Sequence, residues 1–390
     1  MLKTPFPKSV IIIGCGIVGA ATAFFLAGRG VDVTIIEREG PAAAATGAAD
    51  GAVSVASKKP GPMMTAALAG ISVYRDLLAQ GILETVFKPR PTYVLASSDE
   101  EVPVVEAHVG ALRSAGVAVN LLDRKDIHGR FPALSPEVRL GAEVKDDGHA
   151  IGYAVVHRLL AASGVKVRRR VEARSLIVSR PGHVTGVETA EGKIEASAVV
   201  ITAGSGSDRL LGLDGVLMPR KGQLLVTERA PELNASMPGS IMSGRYLLSK
   251  GTQKGGAPSE RGYGLVIDPL TTGQFLIGGT RENNNAGKSN DLEAVARILR
   301  DAVALVPRLA QVRLLRAFAG IRTAVADGLP LIGRAPAFEN VFVATGFEGD
   351  GICLGPVVGK AVASLILGEP APLDLSAFNP ARFAPKEIAA

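Results

Sequence analysis

The chain has 390 residues, of which 47% are hydrophobic and 21% charged, and its formal net charge is +6. The composition is ordinary for a globular protein, and the length predicts two domains. Aromatic residues make up only 4% of the chain and tryptophan is absent, which argues against stacking surfaces for single-stranded nucleic acid. The two cysteines, Cys15 and Cys353, form no paired motif and the histidines show no ligand spacing, so we expect a reducing compartment and no metal site.

The N-terminal segment has the pattern of a βαβ unit. Residues 9–13 predict a buried parallel strand, 17–29 a helix ended by Gly30, and 31–37 a second strand. The uncharged stretch 10–27 is also compatible with an export signal or a short membrane span. Its regularly placed glycines and the strand that follows favour the βαβ unit.

Further helix and strand patterns follow along the chain. Residues 40–62, rich in Ala, Gly and Ser, are predicted to lie outside the core. Helices are predicted at 63–80, 100–114, 153–162, 291–305 and 357–367. Strands are predicted at 92–97, 165–172, 184–189, 198–202, 224–227, 264–267, 275–277 and 342–344. The basic run 166–170 fits one charged strand face better than a nucleic-acid patch.

Together these patterns predict an α/β protein. We expect a Rossmann-like, doubly wound nucleotide domain and an inserted α+β substrate domain built on an antiparallel sheet. The nucleotide domain is assigned residues 1–85, 146–218 and 316–390, and the substrate domain residues 86–145 and 219–315.

The first motif is a glycine loop between the first strand and the first helix. Gly14 allows a tight turn, Gly16 lets a pyrophosphate approach the backbone, and Gly19 lets the helix pack against the strand. The free N–H groups and the dipole of the helix favour negative charge there. Glu37 ends the second strand at about the spacing, roughly 20 residues, expected of a carboxylate that binds ribose hydroxyls. The sequence therefore predicts a dinucleotide site for a cofactor without a 2′-phosphate.

The second motif is Thr46-Gly47-Ala48-Ala49-Asp50-Gly51, a run of small residues that would let backbone pass close to a ligand. From the residues alone, a flexible surface loop is the favoured reading.

The third motif spans residues 316–323 and 327–333. Arg322 is a cation in an otherwise apolar strand, and a guanidinium can hold a carboxylate through two parallel hydrogen bonds. The alternative is a structural salt bridge, for example to Asp327.

The fourth motif, Gly346-Phe347-Glu348-Gly349-Asp350-Gly351-Ile352, precedes the last predicted helix. A second glycine-rich helix start can meet the far end of a long dinucleotide, where its dipole would stabilise the negative charge of a reduced flavin.

Together the four motifs resemble the glycine oxidase/D-amino-acid oxidase-type FAD oxidoreductases over nearly the whole chain. The segments 200–205 and Pro219-x-x-Gly222-Gln223 are also similar to this family. Residues 51–58 and Pro60-Gly61 most resemble subunits of heteromeric, dye-linked opine and hydroxyproline dehydrogenases. The chain departs from the family in having Phe318 where tryptophan is common, and in lacking the substrate-contacting aromatic residue that is common near Val266.

The resemblance implies FAD in the nucleotide domain, bound non-covalently because no cysteine lies where covalent flavin is attached. It assigns the substrate carboxylate to Arg322. The cofactor-binding residues it implies, with the motifs above, are Gly14, Gly16, Ile17, Val18, Gly19, Glu37, Arg38, Thr46, Gly47, Ala48, Gly51, Ala52, Val171, Ala203, Gly204, Gly346, Gly349, Asp350, Gly351 and Ile352.

The implied activity is oxidation of the CH–NH bond of an amino acid or N-substituted amino acid. Hydride would pass from the α-carbon to flavin N5, leaving an imine that water hydrolyses, in a dehydrogenase acting on a D-amino acid, hydroxyproline or an opine. The alternatives are an oxygen-using glycine/sarcosine-type oxidase, an NAD-dependent dehydrogenase, and a non-catalytic FAD-binding subunit of a larger complex. We expect a cytoplasmic oligomer or hetero-oligomer without a transmembrane segment, with peripheral membrane association left open.

Overall fold

The structure is a computed structural model that describes residues 7–213, 215–252 and 261–383, with backbone alone at 249–252. The strands are β1 (Ser9–Ile13), β2 (Asp32–Glu37), β3 (Ala52–Val53), β4 (Phe87–Pro89), β5 (Thr92–Ala96), β6 (Val119–Leu122), β7 (Leu140–Val144), β8 (Gly148–Ala150), β9 (Val167–Arg169), β10 (Ala173–Arg180), β11 (His183–Thr189), β12 (Gly192–Glu195), β13 (Ala198–Ile201), β14 (Leu217–Thr227), β15 (Ser240–Ser243), β16 (Gly262–Pro269), β17 (Phe275–Asn283), β18 (Leu314–Val325), β19 (Leu331–Arg334) and β20 (Val341–Thr345). The helices are α1 (Ile17–Ala27), α2 (Pro62–Ala79), α3 (Glu101–Ser114), α4 (Arg124–Arg130), α5 (Gly152–Ser163), α6 (Ser207–Leu211), α7 (Pro231–Ala235), α8 (Arg245–Thr252), α9 (Leu292–Leu305) and α10 (Gly351–Ile366).

A six-stranded sheet in the order β19-β20-β13-β1-β2-β9 forms the centre of the first layer. Its strands pair in parallel, except that β19 runs antiparallel to β20. The carboxyl ends of β1, β2, β13 and β20 therefore meet at one edge, where ligands of such sheets bind. The α/β fold predicted from the sequence is confirmed.

Because β1 is apolar on both faces, both faces of this sheet are covered. The elements that cover the two faces differ. Val10 and Ile12 pack under the helices α1, α5 and α10, whereas Ile11 and Ile13 pack toward the three-stranded sheet β10-β11-β12. Small residues bring the helices close together. A Cβ added at Gly359 of α10 would lie 2.5 Å from the Cβ of Ala21 in α1.

The second layer is an eight-stranded sheet in the order β18-β14-β17-β16-β15-β5-β7-β6. It is antiparallel apart from the β15–β5 pair. One face packs on α9 through Leu225, Ile277 and Ile298. Leu224, whose side chain alternates with that of Leu225, faces the first layer, and this face forms one wall of the site described below.

Several predicted elements have different bounds in the structure. The strand predicted at 165–172 is reduced to β9, because Arg170 adopts a φ of 62° and Val171 turns to donate its N–H to the Glu37 carbonyl. The last helix begins at Gly351 rather than 357 and contains Pro356. The segment 40–62 was wrongly placed outside the core, since Val53 and Val55 are fully buried.

The strands predicted at 224–227, 264–267 and 275–277 are the apolar parts of the longer strands β14, β16 and β17. These strands continue through glycines and charged residues, which have low strand propensity, because central strands gain cross-strand hydrogen bonds on both sides. The predicted domain boundaries after 218 and 315 fall inside β14 and β18. We therefore keep the two-domain division as a proposal. Among the described helices, none is long and apolar enough to cross a bilayer.

Candidate active site

A cleft with a volume of about 450 Å³ opens at the edge where the parallel strands end. It lies between the two layers and is lined by backbone and side chains from all four sequence motifs. The predicted cofactor residues that line it are Gly14, Gly16, Ile17, Val18, Glu37, Arg38, Thr46, Ala48, Val171, Ala203, Gly204, Gly346, Gly349, Gly351 and Ile352. Arg322 also lines this cleft.

The glycine loop has the geometry that its motif requires. Gly14 has a φ of 101°, and a Cβ there would lie 2.6 Å from the Thr202 carbonyl oxygen. A Cβ on Gly19 would lie 2.1 Å from the Gly14 carbonyl oxygen, so this glycine allows α1 to pack against β1. Gly19 does not line the cleft, and its role is the helix packing that the motif predicted.

Glu37 is held at the mouth of the cleft by two backbone donors. Its Oε2 accepts from the N–H of Cys15 at 2.8 Å, and its Oε1 accepts from the N–H of Glu39 at 2.9 Å. Burial first, and then the nearby Glu37 carboxylate, raise the pKa of the Cys15 thiol to about 12, so this cysteine stays protonated. Val171, just beyond the end of the neighbouring strand β9, donates its N–H to the Glu37 carbonyl and also lines the cleft.

The loop at Thr46 is ordered by the first helix. The Oγ1 of Thr46 accepts from the N–H of Ile17 at 3.1 Å, and the small Ala48 lies against Gly320 of β18. The surface-loop reading of this segment is therefore wrong. Gly47, Gly51 and Ala52 do not line the cleft. Gly51, with a φ of 91°, instead leaves room for the ring of His149.

The N-terminus of α10 lines the cleft as well. Gly346 has a φ of 81°, and a Cβ there would collide with Val325. Gly349, Gly351 and Ile352 line the cleft, whereas Asp350 turns away and pairs with the buried Lys58. The N-termini of α1 and α10 thus both line one cleft, and each favours negative charge.

Arg322 is positioned by a glycine on the neighbouring strand. Its register partner is Arg220, and its guanidinium lies over Gly222, where an added Cβ would come within 2.7–2.8 Å of three guanidinium atoms. Its Nη1 donates to the Thr280 carbonyl at 3.1 Å. The salt bridge considered with Asp327 does not form, because Asp327 pairs with Arg382 at 2.7 Å.

Arg322 belongs to a cluster of three cations, Arg220, Arg281 and Arg322, which we call the arginine group. The group surrounds Glu348, which lines the cleft. Burial would raise the pKa of Glu348, but Arg322, Arg281 and Arg220 together hold it at about 2. Tyr246 from α8 lies over Gly264, and the Arg281 guanidinium stacks on its ring at 4.4 Å. An aromatic side chain therefore reaches this face from α8, whereas Tyr263, three residues before Val266, packs toward α9, where Arg297 lies over its ring.

Asp50 is a second carboxyl group that lines the cleft. Burial and the nearby Asp268 raise its pKa, although the Ala52 N–H, Arg322 and His149 act in the opposite direction. Its Oδ1 accepts from the Ala52 N–H at 3.2 Å.

The cleft suits a long, phosphate-bearing dinucleotide, because a glycine cradle and the N-termini of two helices line it. The sequence profile of the FAD dependent oxidoreductase family matches residues 9–365. The chain belongs to this family. It is accordingly an FAD-dependent oxidoreductase, as the sequence motifs predicted.

Similarity to individual proteins extends over almost the full length. The chain is 27% identical to glycine oxidase of Geobacillus kaustophilus over 95% of this chain and 96% of that protein. It is 25% identical to glycine oxidase of Pseudomonas aeruginosa over 96% and 99% of the two chains. The crystal structure of the Geobacillus kaustophilus glycine oxidase superposes with a TM-score of 0.83 and 25% identity, covering 97% of this chain and 99% of that one.

Sequence reasoning missed the residues that shape the surroundings of Arg322. Gly222 was noticed only as part of a family segment, and the roles of Arg220, Arg281 and Glu348 were not foreseen. The alternation of Arg220, Gly222 and Leu224 could have indicated a strand face, but its partners are set by pairing between distant strands.

Proposed function

We propose that this FAD-dependent oxidoreductase oxidises the CH–NH bond of an amino acid or N-substituted amino acid and acts as a dehydrogenase. The observation that carries the proposal is the guanidinium of Arg322 at the wall of the cleft, between the Thr46 loop and the N-terminus of α10. The named activity of the relatives supports the same class of substrate.

The proposed cofactor position follows from the shape of the cleft. The adenosine half lies at Glu37, Arg38 and Val171 and the pyrophosphate at the α1 N-terminus. The remaining half lies between Ala48, Gly204 and the α10 N-terminus. We propose that the cofactor is non-covalently bound and that, when bound, it accepts a hydride from the α-carbon of the substrate.

The chain itself orients the substrate. Arg322 uses Nη1 to donate to the Thr280 carbonyl, and its Nε and Nη2 make no hydrogen bond with any described residue. These donors can take the two oxygens of a carboxylate, which fixes the direction in which the α-carbon points. Ala48 packs directly on Gly320, where an added Cβ would lie 2.6 Å from the Ala48 Cβ, so the Thr46 loop is held close to the strand that carries Arg322.

A second candidate is an oxidase that passes electrons to oxygen, which the glycine oxidases among the relatives favour. The resemblance of residues 51–58 to dye-linked dehydrogenase subunits favours the first candidate. Hydrogen peroxide formed in air in step with substrate loss supports the oxidase. Turnover that requires an artificial dye or quinone, without peroxide, supports the dehydrogenase.

The cofactor assignment is tested separately from the acceptor. Acid precipitation of the purified protein should leave FAD in the supernatant, identified by mass. A flavin that stays in the protein pellet would contradict non-covalent binding, and a colourless protein that binds no added FAD would contradict the proposed cleft.

A further inference from the structure

The arginine group lies on one face of the eight-stranded sheet. Arg220 and Arg322 are directly paired in the register of β14 and β18, so their side chains share a face. Arg281 lies two residues before Asn283, the partner of Arg220 in β17, and shares that face as well. It also directly follows Thr280, whose carbonyl accepts from Arg322. The three guanidinium groups are therefore close neighbours.

The negative charge near this group does not match its positive charge. Glu348 forms an ion pair with Arg220, the two atoms lying 3.1 Å apart. Asp350, the next carboxylate in the loop, is occupied by Lys58. Glu348 is therefore one carboxylate shared by three guanidinium groups, since Arg281 and Arg322 also act on it. The positive charge of the partly buried arginine group exceeds the negative charge beside it, which is unfavourable and indicates that a ligand supplies further negative charge here.

One amino-acid carboxylate would match only one of the two cations Arg281 and Arg322. Arg322 takes the α-carboxylate in the proposed function, which leaves Arg281, stacked on Tyr246, to share the single Glu348 carboxylate with Arg220. The Glu348 carboxylate does not satisfy all of these guanidinium donors. Its buried Oε1 makes no hydrogen bond, although it lies 3.1 Å from Nη1 of Arg220. Asp50 does not balance the charge of Arg281, since it is hydrogen bonded to Ala52 and forms no ion pair with a described cation.

We propose that the substrate is an amine with two carboxylates, one bound by Arg322 and the other by Arg281. A dicarboxylic amino acid or an N-(carboxyalkyl) amino acid has this chemistry. Glu348, paired with Arg220, lines the cleft beside this position, and it repels a second carboxylate placed too far from Arg281. This inference rests on the proposed function and names the substrate class for the same site.

The direct test measures binding by calorimetry with the FAD-loaded protein. Diglycolate carries two carboxylates and an oxygen in place of the amine nitrogen, so it cannot be oxidised at a CH–NH bond. Methoxyacetate is the matching ligand with one carboxylate. We expect diglycolate to bind about 30-fold more tightly, the size of one charge-assisted contact. Equal dissociation constants in the wild-type protein would overturn the proposal without any variant.

Variants test whether the preference for diglycolate over methoxyacetate depends on Arg281. Arg281→Met should lower the preference for diglycolate to about threefold or less, and Arg281→Lys should retain part of it because the charge remains. Arg316→Met is the matched control, since Arg316 lies on the same strand as Arg322 but is exposed and stacks on Phe318. It should keep the full preference. A folded Arg281→Met protein that keeps the full preference would overturn the proposal, whether or not its flavin potential has shifted.

Kinetics separate this inference from the proposed function. Iminodiacetate and its monoamide have nearly the same shape and differ in one charge. A much higher kcat/KM for iminodiacetate supports a second carboxylate site. Equal values for the two compounds refute it while leaving amino-acid oxidation intact, and the absence of flavin reduction by any amino acid refutes the proposed function itself.

Discussion

Replacing Gly222 by alanine should weaken substrate binding without weakening the fold. The new Cβ would lie 2.7–2.8 Å from three atoms of the Arg322 guanidinium, whereas ordinary contacts are 3.4–4 Å. The guanidinium must therefore move by about 1 Å, which breaks its 3.1 Å hydrogen bond to Thr280. Because the displaced group is the flexible end of a side chain, the strand itself need not shift. Alanine also avoids the cost, about 0.5–1 kcal/mol, of glycine inside a strand.

The expected loss follows from the contact that Arg322 makes with the substrate. A hydrogen bond to a charged group contributes about 1.5–3 kcal/mol, so a misplaced guanidinium should raise KM roughly ten- to hundredfold. Steady-state kinetics of Gly222→Ala with the best amino-acid substrate measure this, and thermal unfolding of the FAD-loaded protein measures stability.

The matched control is Gly110→Ala. Gly110 lies in α3, and an added Cβ there meets no atom within 4 Å. This variant should keep the wild-type KM. An unchanged KM in Gly222→Ala, together with a large increase in Arg322→Ala, would show that Arg322 does not act from the position over Gly222.

Three further predictions concern other parts of the molecule. Arg322→Ala should raise KM sharply while FAD stays bound, and an unchanged KM would remove this residue from the substrate site. Gly14→Ala should abolish FAD retention on gel filtration because of its clash with Thr202, whereas Gly30→Ala, at a similar positive φ but with no neighbour within 4 Å, should retain FAD. Burial raises the pKa of Asp147 from 3.8 to about 6 in spite of hydrogen bonds from Ser54 and Val55. The folded protein thus binds this proton more tightly than the unfolded chain, so stability from this group is present below pH 3.8 and is lost as the pH rises to about 6. In Asp147→Asn, the free energy of unfolding measured with urea should change less with pH between 3.8 and about 6. A pH dependence equal to that of the wild type would contradict this.

The first strand, glycine loop and helix were predictable because their determinants are local. Gly14, Gly16 and Gly19 fix the turn, and the apolar runs on either side define β1 and α1. The bounds of both elements agree closely with those predicted. Arg322 was also identifiable, since it is a cation flanked by apolar and small residues, and a guanidinium can hold a carboxylate.

The surroundings of Arg322 were not predictable in the same way. Gly222 and Thr280 contact Arg322 through pairing of β14 with β18 and β17, across separations of tens of residues. The sequence patterns at 217–223 and 278–283 contain glycines and charges that lower strand propensity, and only their central place in the sheet makes them strands. The charge imbalance of the arginine group becomes visible only once these strands are aligned.

The central claim is that amino-acid oxidation takes place in the cleft beside Arg322. Anaerobic addition of D- and L-amino acids, N-methyl amino acids, prolines and N-(carboxyalkyl) amino acids to the FAD-loaded protein, followed by absorbance near the flavin band, tests it most directly. We expect complete bleaching by at least one of these compounds, at far lower concentration in the wild type than in Arg322→Ala. A flavin that dithionite bleaches but none of these amines does would contradict it.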